Sequence, residues 1–319
     1  MVSNLLFLVV FSSGALVLTL STSFMWMWLG MELLSLGVAI FVLMSHYDSE
    51  MGGKKGTAIL KYLMVQFVAG GMVLGSLLLS EEWWQIMLAV ALSLKMGLVP
   101  LHTWVVDILG ALDLWEGFYL GVISKVGPFV LMACWLPSDW MYPLGVVSII
   151  GGSLMGMMYS DSRHILACSS IMGTGWVVIV LGQGPEMVLT SIYLYGVHTM
   201  TLLWTTRAIR MASLSSWGQR DLYKSMGMGA LLMANLGLPT YAFFVLKLYV
   251  VLDTKWYFLL LTTLLASGVS LIWYSRMINV AWMKDGCFVP QLNPGSLSMK
   301  IHRKTGQMIT VGLLFLLCF

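Results

Sequence analysis

Apolar stretches about as long as a bilayer is thick follow one another almost without pause from residue 3 to residue 276. A helix that crosses the hydrocarbon core needs about 20 apolar residues, fewer when tilt or neighbours help. Within lipid every backbone N–H and C=O must be satisfied inside the protein, which leaves helices and closed barrels. Stretches of this length are helix-sized, so they predict an all-α integral membrane protein. Eleven transmembrane helices are expected, at 3–20, 24–44, 57–79, 84–101, 117–136, 142–159, 165–182, 187–208, 226–251, 256–276 and 304–319. Residues 283–303 are polar, contain Pro290 and Pro294, and read as a surface connector. The 319 residues are 59% hydrophobic and only 10% charged. Soluble domains carry about 25% charge, so a solvated globular shell is excluded.

The distribution of basic residues tests this map. Labelling sides by alternating connectors puts thirteen basic residues on one side: Lys54, Lys55, Lys61, Arg163, Arg207, Arg210, Arg220, Lys224, Arg276, Lys284, Lys300, Arg303 and Lys304. The other side receives Lys255 alone, with Glu81, Glu82, Asp139, Glu186 and Asp253. A wrong span count would scramble that segregation, which follows the positive-inside pattern. The N-terminus is therefore expected on the basic side and the C-terminus opposite.

Neither a basic leader with a cleavage site nor an Arg-rich transit stretch opens the sequence, since no Lys or Arg precedes residue 54. The 26 Met and 14 Trp fit translation inside an animal organelle that reads AUA as Met and UGA as Trp; chance enrichment gives the same counts. Cys134, Cys168, Cys287 and Cys318 lack metal-site spacing and read as buried thiols, so no metal site is expected.

Three lysines, Lys95, Lys125 and Lys247, and one acid, Glu32, fall inside spans. Each such charge costs at least about 2.5–3.5 kcal/mol at mid-depth and demands a partner or water. Snorkelling from a span end is the structural alternative, and the depth of Lys125 and Glu32 argues against it. Two of the lysine spans also contain proline: Pro100 follows Lys95 in LKMGLVPLHTW, and Pro239 precedes Lys247 in LGLPTYAFFVLK. Proline removes a backbone donor and breaks the helix nearby. In lipid, broken backbone survives where it lines a cavity or is buried in protein. One charged, interrupted span in each half is the mark of inverted-repeat transporters, although two ordinary kinks leave the same trace. The predicted organisation is two inverted five-helix repeats, about 24–136 and 142–276, with two discontinuous helices, followed by the connector and last helix at 283–319.

Several strings then resemble one family. WMWLGMELLSLG (26–37), ILKYLMVQ (59–66), LSLKMGLVPLHTWV (92–105), ISKVGPF (123–129), SRHILACSSIMGTGW (162–176) and LGLPTYAFFVLK (236–247) resemble the antiporter-like membrane-arm subunits of respiratory complex I, in their short animal form. The resemblance covers about residues 24–252. It implies a multi-pass protein of the mitochondrial inner membrane with its N-terminus in the matrix and its C-terminus at the intermembrane space. It implies a proton relay over Glu32, Lys95, Lys125 and Lys247, in which Glu32 modulates Lys95. Its partners would be other membrane-arm subunits, with lipids such as cardiolipin as further candidates and no nucleic acid. NADH, FMN, iron–sulfur clusters and ubiquinone would be used by the whole complex, with none bound by this chain. The sequence departs from the family at His164, where lysine is common, at Asp107, where glutamate is common, and at Thr240, which replaces the second proline of a pair.

The residue types supply the chemistry. A lysine in a low-dielectric medium holds its proton less tightly, and a carboxylate within about 4–6 Å tightens that hold. Moving the acid loads or unloads the lysine. His198, mid-span in LYGVHTM, suits a relay by its ordinary proton affinity, yet a lone His between helices is as often a hydrogen-bonding strut. His102 reads as a boundary residue beside Trp104. No nucleotide motif or cysteine cluster appears, so redox chemistry is expected on other chains. A cation/proton antiporter subunit remains open as a second reading. A membrane scaffold without transport is a third, and the four intramembrane charges argue against it.

Overall fold

The chain is represented by a computed structural model that describes residues 2–47, 52–112, 114–159, 162–184, 186–214, 237, 242–253 and 257–283. Lipid forces the expected outcome: the apolar stretches there are helices, and no strand occurs among the described residues. They are α1 (Val2–Leu20), α2 (Phe24–Tyr47), α3 (Gly52–Ser76), α4 (Glu81–Met96), α5 (Thr103–Ala111) and α6 (Leu114–Phe118). A π-helical turn, Tyr119–Ile123, joins α6 to α7 (Ser124–Trp135). Then come α8 (Ser138–Met158), α9 (Ser162–Leu181), α10 (Met187–Leu214), α11 (Ala242–Asp253) and α12 (Tyr257–Met283). Among the described residues, six helical segments are long and apolar enough to cross a membrane, between Phe24 and Met277, and three shorter apolar helices accompany them. The expected spans at 226–251 and 304–319 and the connector at 283–303 lie wholly or largely outside the described residues.

The helix α9 is the pivot. Its apolar segment Arg163–Leu181 is 94% buried, against 28% for Leu259–Met277 at the periphery. It packs on α8, α10, α5 and α11, while α8 carries α12 on its other flank. Without a hydrophobic force between helices in lipid, close approach has to come from small residues. Gly145 of α8 and Gly175 of α9 supply it: a Cβ on either would stand 2.8 Å from the other's carbonyl oxygen. The Gly-rich segment 151–156 packs similarly, with Gly152 against the backbone of Cys168 and Met172 and Gly156 against Trp273.

The break expected near Pro100 occurs, but a glycine sets its position. The helix α4 stops at Met96, and Gly97 takes the left-handed conformation with φ 70°. The amide of Gly97 donates to the Leu94 carbonyl at 3.2 Å and that of Leu98 to Ser93 at 2.9 Å. The chain passes Pro100 and resumes as α5 at Thr103. Lys95, Met96 and Leu98 are buried, so the break faces the interior. Only glycine adopts this backbone without penalty, an L side chain costing about 1–2 kcal/mol. A Cβ there would also run into the Val105 side chain. Gly97→Ala is therefore expected to lower the thermal midpoint of the detergent-solubilised protein, and an unchanged midpoint would contradict this account of the break. In the second half, Gly237 is also left-handed, with φ 71°, two residues before Pro239; residues 238–241 lie outside the described set.

Candidate functional site

Breaking a helix frees carbonyls, and here side chains take them. The indole of Trp104 on α5 donates to the Leu94 carbonyl at 3.1 Å. The Gln66 amide on α3 donates to the Lys95 carbonyl at 3.3 Å. The Ser148 hydroxyl on α8 accepts from the Val99 amide at 3.2 Å. The end of α4 is thereby held open yet satisfied, and Lys95 lies within it, its side chain 1% exposed. Its ammonium forms an ion pair with Glu32 of α2, the approach across two spans that their shared need of a partner predicts. Glu32 is 21% exposed and packs against Gly70 of α3, where a Cβ would collide with its carboxylate. The Gly70 carbonyl accepts from the Trp28 indole at 3.1 Å, which fixes α3 against α2 at this level.

Lys125 opens α7 and is 1% exposed, so snorkelling is excluded for it as for Lys95. Its ammonium donates to the Tyr195 hydroxyl on α10 at 3.3 Å. That hydroxyl donates to the Gly121 carbonyl at 3.1 Å, which belongs to the π-helical turn. Such turns shift the hydrogen-bond ladder by one residue and recur at functional sites. One helical turn along α10 from Tyr195 comes His198, 2% exposed. Its ring stacks on Phe243 of α11, centroids 3.8 Å apart and 14° between planes. Both its ring nitrogens are buried and make no hydrogen bond among the described residues. Lys247 follows Phe243 by one turn, with its Nζ 5.5 Å from that ring and 5.8 Å from the Trp176 ring on α9. It also reaches back toward Gly237, from which a Cβ would stand 3.0 Å from the ammonium.

The four sequence-selected charged residues and His198 thus fall into three groups: Glu32 with Lys95, Lys125 with Tyr195, and His198 stacked on Phe243 one turn before Lys247. Four further residues escaped the sequence reading. Tyr195 and Tyr62 are both at most 1% exposed, and nothing in the sequence separates a packed phenol from one placed on a lysine. Ser124, at 4%, sits directly before Lys125. Glu116, at 3%, is a correction. It lies one residue before the expected span 117–136, but the apolar segment begins with it, so Glu32 is not the sole intramembrane acid. Cys134 is likewise exposed rather than buried, while Cys168 is buried. His102 stands at the N-cap position of α5 without a side-chain capping bond, its Nδ1 3.1 Å from the Pro100 carbonyl, the boundary placement expected. Asp107 pairs with Lys61 at 3.0 Å, an exposed bridge of small energetic weight. Among the described residues no group of three or more His, Cys, Asp or Glu could hold a metal ion.

A polytopic helical bundle with an ion pair at an interrupted span and a further buried lysine has the build of an antiporter-like membrane protein. The profile of the family described as NADH:quinone oxidoreductase/Mrp antiporter, TM, matches residues 78–270, and the chain belongs to that family. Among similar proteins, NADH-ubiquinone oxidoreductase chain 2 of Latimeria chalumnae is 30% identical over 289 residues, covering 83% of this chain and 81% of that one. The protein of the same name from Tetraodon nigroviridis is 25% identical over 317 residues, covering 93% and 89%. In fold, a chain of respiratory complex I from Thermus thermophilus with bound aureothin superposes with a TM-score of 0.65 at 18% identity, covering 94% of this chain and 74% of that one. A chain of the membrane-bound sulfane sulfur reductase, an archaeal respiratory membrane complex, gives 0.65 at 16% identity, covering 89% and 67%.

Proposed function

We propose that this chain is a proton-translocating, antiporter-like core subunit of a respiratory NADH:ubiquinone oxidoreductase in the mitochondrial inner membrane. The observation that carries the reading is the Glu32–Lys95 ion pair held at a satisfied helix break, in a chain of this family. A charge pair buried in a membrane protein is expensive and is retained where charge must move. Protons would load at Lys95 under control of Glu32, pass to Lys125, and reach Lys247 by way of Tyr195 and His198. The chain's eleven helices would form two inverted repeats, about 24–136 and 142–276. The left-handed glycines at Gly97 and Gly237, each in a Gly-Leu segment running into proline, support that symmetry. The segregation of basic residues supports a matrix N-terminus and an intermembrane-space C-terminus.

The partners are other membrane-arm subunits, with cardiolipin-type lipids at the periphery and no nucleic acid. NADH, FMN, iron–sulfur clusters and ubiquinone are assigned to those other chains, so this chain supplies coupling rather than redox chemistry. The competing reading is a subunit of a cation/proton antiporter, which shares the family. Immunocapture of the native chain from inner membranes separates them. Co-purification of NADH-driven ubiquinone reduction with the chain is expected. A captured assembly that exchanges sodium for protons without oxidising NADH would move the chain to the second reading.

A further inference from the structure

The amino group of Lys125 is buried with one polar partner among the described residues, the Tyr195 hydroxyl at 3.3 Å. Lys95 has a carboxylate to answer its charge; Lys125 has a phenol. The phenol ring is held on three sides. The Phe129 ring of α7 stands edge-on to it, with centroids 5.8 Å apart. Gly173 of α9 lies so close that a Cβ there would stand 3.4 Å from the Tyr195 Cε2. The Lys125 ammonium itself sits 5.7 Å from the ring centroid. Tyr195 is wholly buried, so its ring has one place and only the O–H bond is left to turn. That bond points at the Gly121 carbonyl, 3.1 Å away in the π-helical turn. A backbone carbonyl passes no proton on, so this contact is an anchor. The helix α10 packs on both the π-helical turn and α7, which sets the phenol oxygen between an anchor on the first and an amine on the second.

We propose that the Tyr195 hydroxyl is a positioning latch for Lys125: it donates to Gly121 while the lysine is charged and turns to donate to the lysine once the lysine is neutral. This deepens the relay reading above and rests on it. An ammonium has donors and no acceptor, so the charged lysine gives a hydrogen bond to the phenol oxygen, and the phenol proton goes to Gly121. A neutral amine has a lone pair, and a hydroxyl both donates and accepts, so after Lys125 gives up its proton the O–H turns from Gly121 to the amine. The turn is a rotation about the C–O bond. The phenol proton stays on Tyr195, no covalent bond forms or breaks, and nothing is oxidised or reduced. The hydroxyl thereby holds the amino group at one point in both charge states, the fixed geometry that proton transfer needs. The ordinary alternative is that Tyr195 fills space. Phenylalanine keeps the ring with its contacts to Phe129 and Gly173 and removes the oxygen, so the two roles separate.

The test is Tyr195→Phe in the assembled complex, with Tyr195→Leu and Lys125→Met in parallel. Proton transport is measured in sealed vesicles, normalised to assembled complex, in H2O and in D2O. Tyr195→Phe is expected to assemble near the normal level and to slow coupled transport by about tenfold or more, as misplacement of a reacting group does. Its ratio of rates in H2O and D2O is expected to rise above that of the unaltered complex, because proton transfer at an unheld lysine then limits the cycle. Tyr195→Leu, which also removes the ring, is expected to show the same raised ratio in whatever complex assembles. Normal transport in Tyr195→Phe beside lost transport in Lys125→Met would overturn the latch and leave the relay standing. Normal transport in both would overturn the relay and the latch together. Slowed transport in Tyr195→Phe with an unchanged ratio, or low assembly with normal transport in the surviving complexes, would make Tyr195 a packing residue and overturn the latch.

Discussion

Glu32→Ala is expected to deplete the assembled protein from the membrane, while a matched double change restores it. The ammonium of Lys95 is 1% exposed and paired with Glu32. Removing one partner of a buried pair leaves an uncompensated charge and costs about 3–5 kcal/mol, whereas replacing both with apolar groups of similar volume is often neutral or stabilising. Glu32→Leu combined with Lys95→Met should therefore return abundance toward normal and still lack proton transport, because nothing at that level can then hold or release a proton. Immunoblots of native gels give abundance, and vesicle acidification gives transport. Full abundance in Glu32→Ala alone would mean that the pair contributes nothing to the fold. Full transport in the double variant would remove the pair from the proton route.

The helices were legible because lipid leaves the backbone few choices, and a continuous apolar stretch of the right length has no alternative to helix. The first break was legible from Pro100, though the turn itself is made at Gly97, where positive φ ends the helix four residues after Ser93. Lys95 and Lys125 stood out because charge in an apolar stretch is conspicuous at any boundary placement. Glu116 did not, for the opposite reason. It lies at the edge of the apolar stretch, and its burial depends on tertiary packing, α6 lying against α10 and α2. A π-helical turn also intervenes before Lys125, and apolar periodicity does not reveal a single inserted residue. Tyr62 and Tyr195 were hidden because a phenol and a phenyl ring make the same apolar pattern; their role depends on which lysine or carboxylate the neighbouring helix brings. His198 was visible by depth, but its stack on Phe243 is a tertiary fact between α10 and α11.

The central claim is that protons cross through the buried lysines, and Lys125 is where removing one group should change transport most while changing the fold least. Its ammonium meets the Tyr195 hydroxyl at 3.3 Å, and that hydroxyl keeps its bond to Gly121 at 3.1 Å when the lysine is gone. Truncation there strands no charge at the contact point, unlike Glu32→Ala. Lys125→Met serves beside Lys125→Ala to hold the volume. The measurement is protons transported per NADH oxidised, in membranes normalised for assembled complex. Near-normal assembly with proton transfer along this route slowed on the order of a hundredfold is the predicted result for both variants. Unchanged proton transport and turnover with Ala at this position would contradict the account, because the proton route would then not pass through Lys125.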